Sequence, residues 1–424
     1  MEEYQLATLE NGLRVVGVPM PSFRSASVGL WIDSGSLYET PEENGISHFI
    51  EHMLFKGTYR RSARQIAEEM DAVGGMLNAF TDVETTCFHT RVITQHLPLA
   101  MDMIADLVLN SRLDPDDIRR EKGVVLEEIS MAEDTPDDLV FEQLLQAHYG
   151  PQPVSQPVLG SADNVNRFTR EDIVKYMSGH YHPDGAVLAL AGAYDWDAFL
   201  KDAQRLFGAW QPSGTGRPEV KVKPFAPKVI RCEKDIEQIH ICMGVDCPPQ
   251  DTPEARAYRV INTVLGGSMS SRLFQTIREE RGLAYSVYSS INSTLINGVF
   301  TVYAAANPEN AAQVVSLIHE TIDRLGKEGV TEKEFTQARE QMLSGLIMGL
   351  ESPSNRMRAA GYRMLTRGDT VTTDELIEKV NSVKLDDVNQ QCRVLAQKKR
   401  SAALVGMKTD DLSDSFLQGK ILIS

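Results

Sequence analysis

Apolar and polar residues alternate from Thr8 to Met20 around Asn11-Gly12, the pattern of a β-hairpin. The apolar run Ala26 to Ser34 predicts a further strand, and the turn-rich stretch Gly35 to Asn44 delivers the chain to a helix within Gly45 to Thr58. At Ser62 to Val73 the helical period returns: Ile66, Met70 and Val73 share a face, and Ser62 can cap it. Gly74-Gly75 stops that helix, and strands follow at Met76 to Val83 and Thr85 to Ile93. Helices are predicted at Leu97 to Leu109, from Asp114-Pro115 to near Thr135-Pro136, and at Asp137 to His148. Beyond the proline-rich loop Pro151 to Leu159 come a short helix at Arg170 to Ser178, a buried strand at Ala186 to Ala191 and a helix at Asp197 to Phe207.

The stretch Gln211 to Lys228 is rich in Pro and Gly and has no helical period, so it reads as a linker between near-equal halves. The second half repeats the first. Gln238 to Val245 resembles the strand at Ala26 to Ile32, and a helix at Glu254 to Leu265 takes the place of the one within Gly45 to Thr58. Ser271 to Glu280 is amphipathic, strands follow at Tyr285 to Ile291 and Gly298 to Ala304, then helices at Pro308 to Leu325 and Val330 to Glu351. A duplication of about 210 residues accounts for this. The expected domains are 1–210 and 229–424, joined by 211–228.

The chemistry concentrates in the first half. His48 and His52 are four residues apart on a predicted helix, so both imidazoles leave one face and can close on one metal ion. Glu51 borders that face, which makes the arrangement H-x-x-E-H, the inverted zinc-protease signature. Catalytic zinc usually has three protein ligands, and the candidates lie between Glu121 and Glu128. These two are seven apart and share a helical face that Val124 and Val125 make partly buried. Unpartnered buried carboxylates are costly, so two on one inward face imply a cation between them and the histidines. Glu127 points elsewhere. Glu51 is read as the base that takes a proton from water, and Glu121 as the acceptor that holds a ligand histidine. In the second half the corresponding helix reads Arg259-Val260-Ile261-Asn262-Thr263, and Glu121 and Glu128 fall on Ala338 and Gly345. That copy has no ligand set.

GISHFIEHMLFKGT resembles the zinc helix of the pitrilysin/insulinase metallopeptidase family, and the resemblance covers essentially the whole chain. It implies an α+β fold: two homologous α/β domains, each with a mostly antiparallel sheet covered by helices, in a duplicated half-clamshell. It also implies Glu128 as third zinc ligand, with Glu121 seven residues before it. MLNAFTDVETT resembles the family's substrate-pairing edge strand, so Leu77, Asn78 and Ala79 would bond a substrate backbone and Glu84 would support the site. Arg278 and Tyr285 match the family's arginine–tyrosine motif, which binds substrate and polarises its carbonyl; Arg281 is a weaker match. Phe55 matches a position lining the pocket just after the cut, and Asp138 and Glu142 match acidic positions that receive an arginine. Size and layout look most like bacterial relatives of the mitochondrial processing peptidase β subunit. The loop Leu265 to Ser271 is too short for the glycine-rich loop of the α subunit. Zinc and arginine–tyrosine motifs on one chain imply a homodimer whose sites are completed across chains.

Composition narrows the alternatives. The 424 residues carry a net charge of −16, which argues against a nucleic-acid partner and suits cationic peptide substrates. The apolar run Ala186 to Ala193 is too short to cross a bilayer, so no membrane role is expected. The acidic opening Met1 to Gln5 is not expected to act as a secretory signal. Five cysteines without C-x-x-C spacing suggest reduced thiols in the cytoplasm. The expected function is a zinc endopeptidase, one Zn2+ per chain, cutting unfolded or extended, basic peptides or presequence-like segments in a closed dimeric chamber. The alternative is a non-catalytic assembly or peptide-binding subunit. Relatives of that kind lose zinc residues, whereas His48, Glu51, His52 and Glu128 are all present here.

Overall fold

The computed structural model describes residues 4–214 and 219–419. Packing divides the chain into two units that interleave along the sequence: 1–129, 156–220 and 346–372 in one, 130–155, 221–345 and 373–424 in the other.

The first unit is built on a six-stranded sheet of order β1-β2-β6-β3-β5-β4. Its strands are β1 (Gln5–Thr8), β2 (Arg14–Pro19), β3 (Ser25–Ile32), β4 (Met76–Thr81), β5 (Thr86–Ile93) and β6 (Ala186–Gly192). Only β2 and β6 run parallel. One face is covered by α1 (Ile46–Leu54), α2 (Ala63–Asp71), α3 (Leu97–Asn110), α4 (Pro115–Asp134, entering the second unit after Ile129), α6 (Ala162–Arg167), α7 (Arg170–His180) and α8 (Trp196–Phe207). Their apolar faces meet Val28, Leu30 and Phe88 of the sheet in one core. The other face is covered by α12 (Pro353–Arg367), whose Met357, Ala360 and Met364 pack with Val16, Trp31 and Val187.

The second unit holds a five-stranded sheet of order β7-β11-β8-β10-β9. These strands are β7 (Val229–Glu233), β8 (Ile239–Asp246), β9 (Ala284–Ser293), β10 (Gly298–Ala306) and β11 (Ser401–Gly406), with β7 and β11 parallel. Its helices are α5 (Pro136–Tyr149), α9 (Pro253–Leu265), α10 (Ala311–Glu328), α11 (Glu332–Leu350, continuing into the first unit), α13 (Thr373–Asn381), α14 (Leu385–Gln397) and α15 (Asp414–Leu417). Helix α5 lies on β8 and β11 through Val140 and Leu144, which pack with Cys242 and Ala403.

Once β1 is set aside, the two sheets match strand for strand, including the position of the one parallel pair. That is the expected duplication, with one feature the linear boundaries do not contain: each half lends a helix to the other half's sheet. Helix α5 from before the linker covers the second sheet, and α12 from after it covers the first. Two local readings also differ. The stretch Gly45 to Thr58, read as one helix, is helical only over Ile46–Leu54, and Gly57 with φ 122° turns the chain three residues later. The amphipathic stretch Ser271 to Glu280 contains a π-helical turn, Phe274–Glu279.

Candidate metal centre

Helix α1 is set by its two faces and by an unusual start. Phe49, Ile50 and Met53 are buried in the core, which leaves the adjoining face to His48, Glu51 and His52. Gly45 adopts φ 97° at the helix start, and a Cβ there would lie 2.7 Å from the Gly160 Cα, so only glycine fits. The first backbone N–H groups are satisfied by the buried Glu39 carboxylate, which accepts from Gly45 N and Ser47 N, each at 2.8 Å. Burial raises the pKa of Glu39 although these bonds work the other way.

Helix α4 presents the second half of the site. Ile118, Glu121, Val125 and Ile129 are buried along one stripe, while Glu127 is exposed, as its position predicts. Val124 is also exposed, so Val125 alone supplies the apolar neighbour expected of both.

The two helices bring three donors together. His48 Nε2 lies 3.7 Å and His52 Nε2 3.4 Å from Glu128 Oε2, and the three donor atoms are all within 4.8 Å of one another. These separations are long for hydrogen bonds but suit a shared ion: donors about 2.1 Å from a tetrahedral zinc stand about 3.4 Å apart. Glu121 is placed differently. Its Oε1 lies 2.8 Å from His52 Nδ1, the nitrogen on the far side of the ring, and its Oε2 lies 2.7 Å from Lys56 Nζ.

The electrostatics agree with a cation site. Burial, then the neighbouring His52, lowers the His48 pKa to about 4, which keeps that imidazole neutral and able to ligate. Burial acts in the same direction on His52, but the Glu121 hydrogen bond and the charges of Glu128, Glu121 and Glu51 outweigh it and raise its pKa. A field that stabilises a proton on His52 also stabilises a metal dication there. Burial would raise the Glu121 carboxyl, yet His52 and Lys56 bring it below its ordinary value. The donor set and its spacing therefore fit zinc.

Glu51 faces this cluster from the middle of α1. Its Oε2 accepts a 2.6 Å hydrogen bond from Thr81 Oγ1 on β4, and burial raises its pKa despite that bond. Thr81, Lys56 and Glu39 are the residues that reading the sequence missed. Thr81 shares strand parity with Leu77 and Ala79, so the alternation of β4 was the available signal for it. Nothing local pointed Lys56 or Glu39 at the site.

The remaining candidates are placed as follows. Among the described residues, strand β4 is the last in its sheet and pairs with β5 alone. Leu77 and Ala79 face the core side, whereas Asn78 is exposed and its Oδ1 accepts from Ala79 N. Glu84 is buried in the β4–β5 turn and accepts a 2.6 Å bond from Tyr362 of α12. Phe55 is half-buried against the core, its ring 6.5 Å from that of Phe88. In the second unit, the Arg278 guanidinium lies 4.4 Å over the Tyr285 ring and 4.8 Å over Phe274, and donates to Tyr285 O. Tyr285 is 74% exposed. Arg281 instead pairs with Glu280. Asp138 is exposed on α5, one turn from the half-buried Glu142, whose pKa is raised by burial and then by Asp138. Among the described residues no helix is long and apolar enough to cross a membrane, and all five cysteines are free.

Residues 14–162 match the family model described as "Insulinase (Peptidase family M16)", and 167–342 match "Peptidase M16 inactive domain". A Bacillus subtilis protein named "Uncharacterized zinc protease YmxG" is 41% identical over 94% of this chain and 97% of its own. A Rickettsia felis protein, also named "Uncharacterized zinc protease", is 35% identical over 96% and 98%. In fold, the chain is similar to the crystal structure of a protease from Helicobacter pylori, with a TM-score of 0.87 and 21% identity over 96% of this chain and 100% of that one. It is equally similar to a peptidase M16 inactive-domain structure from Pseudomonas fluorescens, with a TM-score of 0.86 and 19% identity over 96% and 98%.

Proposed function

The chain belongs to the insulinase family of peptidases, M16, and we propose that it is a zinc endopeptidase of the inverted H-x-x-E-H type with one zinc per chain. The observation that carries this reading is the convergence of His48, His52 and Glu128 from two helices at separations suited to a shared ion. These three residues hold the metal. When bound, zinc supplies a Lewis acid that polarises a peptide carbonyl and acidifies water.

Glu51 takes a proton from the attacking water and hands it to the leaving amine. Its raised pKa makes the carboxylate a stronger base for the first transfer, and Thr81 fixes which way it faces. Glu121 holds His52 by Nδ1, which directs Nε2 to the metal. An extended peptide adds to the β4 edge by backbone bonds to Leu77, Asn78 and Ala79, a mode the terminal position of β4 permits. Glu84 braces that edge, and Phe55 lines the adjoining pocket. Arg278 and Tyr285 bind the substrate carbonyl, and Asp138 with Glu142 accepts a basic side chain. In this reading a second copy supplies Arg278 and Tyr285, so the enzyme is a homodimer enclosing unfolded, basic peptides. Five free cysteines suit a cytoplasmic setting.

Metal removal tests the proposal. Dialysis against a chelator should abolish cleavage of a basic peptide, and one equivalent of zinc per chain should restore it. Undiminished cleavage by metal-free protein would refute a metallopeptidase.

A further inference from the structure

We infer that Lys56 is a positioning residue of the metal centre: it fixes the Glu121 carboxylate that in turn fixes the His52 ring. Glu121 has a side chain only 5% exposed, and its two oxygens have different partners, Oε1 at 2.8 Å from His52 Nδ1 and Oε2 at 2.7 Å from Lys56 Nζ. The imidazole can satisfy one oxygen of a buried carboxylate and no more. Without the ammonium, Oε2 would be left in a largely dry setting, where an unmatched charge is costly. The carboxylate would then gain by rotating toward any other donor, and His52 would lose its acceptor.

Lys56 is also well held. It lies two residues beyond α1, with its N–H donating to Met53 O, so α1 and the turn after it carry both the ligand ring and the clamp on that ring's acceptor. The turn itself is pinned. Thr58 Oγ1 and Arg61 Nη1 both donate to the fully buried Asp106 of α3 at 2.8 Å, and Arg112 N donates to Gly57 O. His48 has no such clamp: its Nδ1 is buried with no hydrogen-bond partner among the described residues. Lys56–Glu121–His52 is therefore the chain through which the protein fixes the orientation of a ligand histidine.

This inference rests on the metal-site reading above, and the test separates the two. Zinc affinity is measured by competition with a chromophoric chelator for wild type, Lys56→Met, Lys56→Arg, Glu121→Gln and the Lys56→Met/Glu121→Gln double variant. Removing outer partners of metal ligands costs about 10–100-fold in affinity. Lys56→Met should weaken zinc about tenfold, and Lys56→Arg should stay within about threefold of wild type because a guanidinium also pairs with Oε2. In the Glu121→Gln background Lys56→Met should add nothing. Melting of the metal-free proteins shows whether each variant is folded, and Lys56→Gln replaces Lys56→Met if the latter is not. Wild type without stoichiometric zinc would overturn both readings. Zinc binding unchanged by Lys56→Met, or weakened equally in both backgrounds, would overturn the role of Lys56 alone.

Discussion

At the scale of single residues, the proposed reaction depends on side chains held from two directions. Glu51 leaves α1 toward the metal ligands and is met by Thr81 from β4 at 2.6 Å. Thr81→Val removes that hydroxyl at nearly constant volume, so kcat should fall about tenfold with zinc content unchanged; this is checked by steady-state kinetics with metal analysis on the same sample. Glu128→Gln should instead lower bound zinc itself, because it removes a charged ligand. The histidine pair and Glu51 were legible in the sequence because a helical period places residues four apart on one face. Thr81, Lys56 and Glu39 were not. Each reaches the site from a separate turn, strand or loop, and no spacing rule relates a loop carboxylate to a helix start six residues later or a lysine to a glutamate sixty-five positions on.

At the scale of elements, the exchanged helices are what periodicity does not reveal. The pattern of α12 says that one face is apolar and gives no indication of which sheet will cover it. Its seat depends on Gly361, where a Cβ would lie 2.1 Å from the Trp31 Nε1 of β3. Gly361→Ala should cost about 1–3 kcal/mol by overpacking, read as a lower midpoint in chemical denaturation. Strand β7 is half-buried along most of its length and β11 is buried throughout, so neither shows the alternation of a strand with one solvent-facing side. In the second unit α11 is tied by Glu334, which accepts two 2.8 Å bonds from Arg272. Burial alone would raise this carboxyl, but Arg272 and Thr331 bring its pKa down from 4.5 to about 2. A carboxyl depressed on folding adds stability that is complete above pH 4.5 and lost as pH falls toward 2. Allowing for partial solvent screening, Glu334→Gln should cost about 1–2 kcal/mol at neutral pH. The gap from wild type should shrink between pH 4.5 and 2, as followed by urea unfolding.

At the scale of the whole molecule, the proposed reading gives the two matching sheets separate chemical roles. The first unit brings His48, His52 and Glu128 together, while α11 of the second has a buried Ala338 and an exposed Gly345 where Glu121 and Glu128 would stand. The second unit instead presents Arg278 stacked against an exposed Tyr285. If a partner copy supplies that pair, mixing inactive Glu51→Gln protomers with inactive Arg278→Ala protomers should restore part of the activity. No recovery despite demonstrated subunit exchange would count against the composite site. The central claim is tested most directly by comparing wild type and Glu51→Gln on a basic fluorogenic peptide, with metal counted in the same samples. One zinc per chain in both, with cleavage at least about 100-fold slower in the variant, is the predicted result. Protein that binds no zinc, or a Glu51→Gln variant that cleaves as fast as wild type, would contradict it.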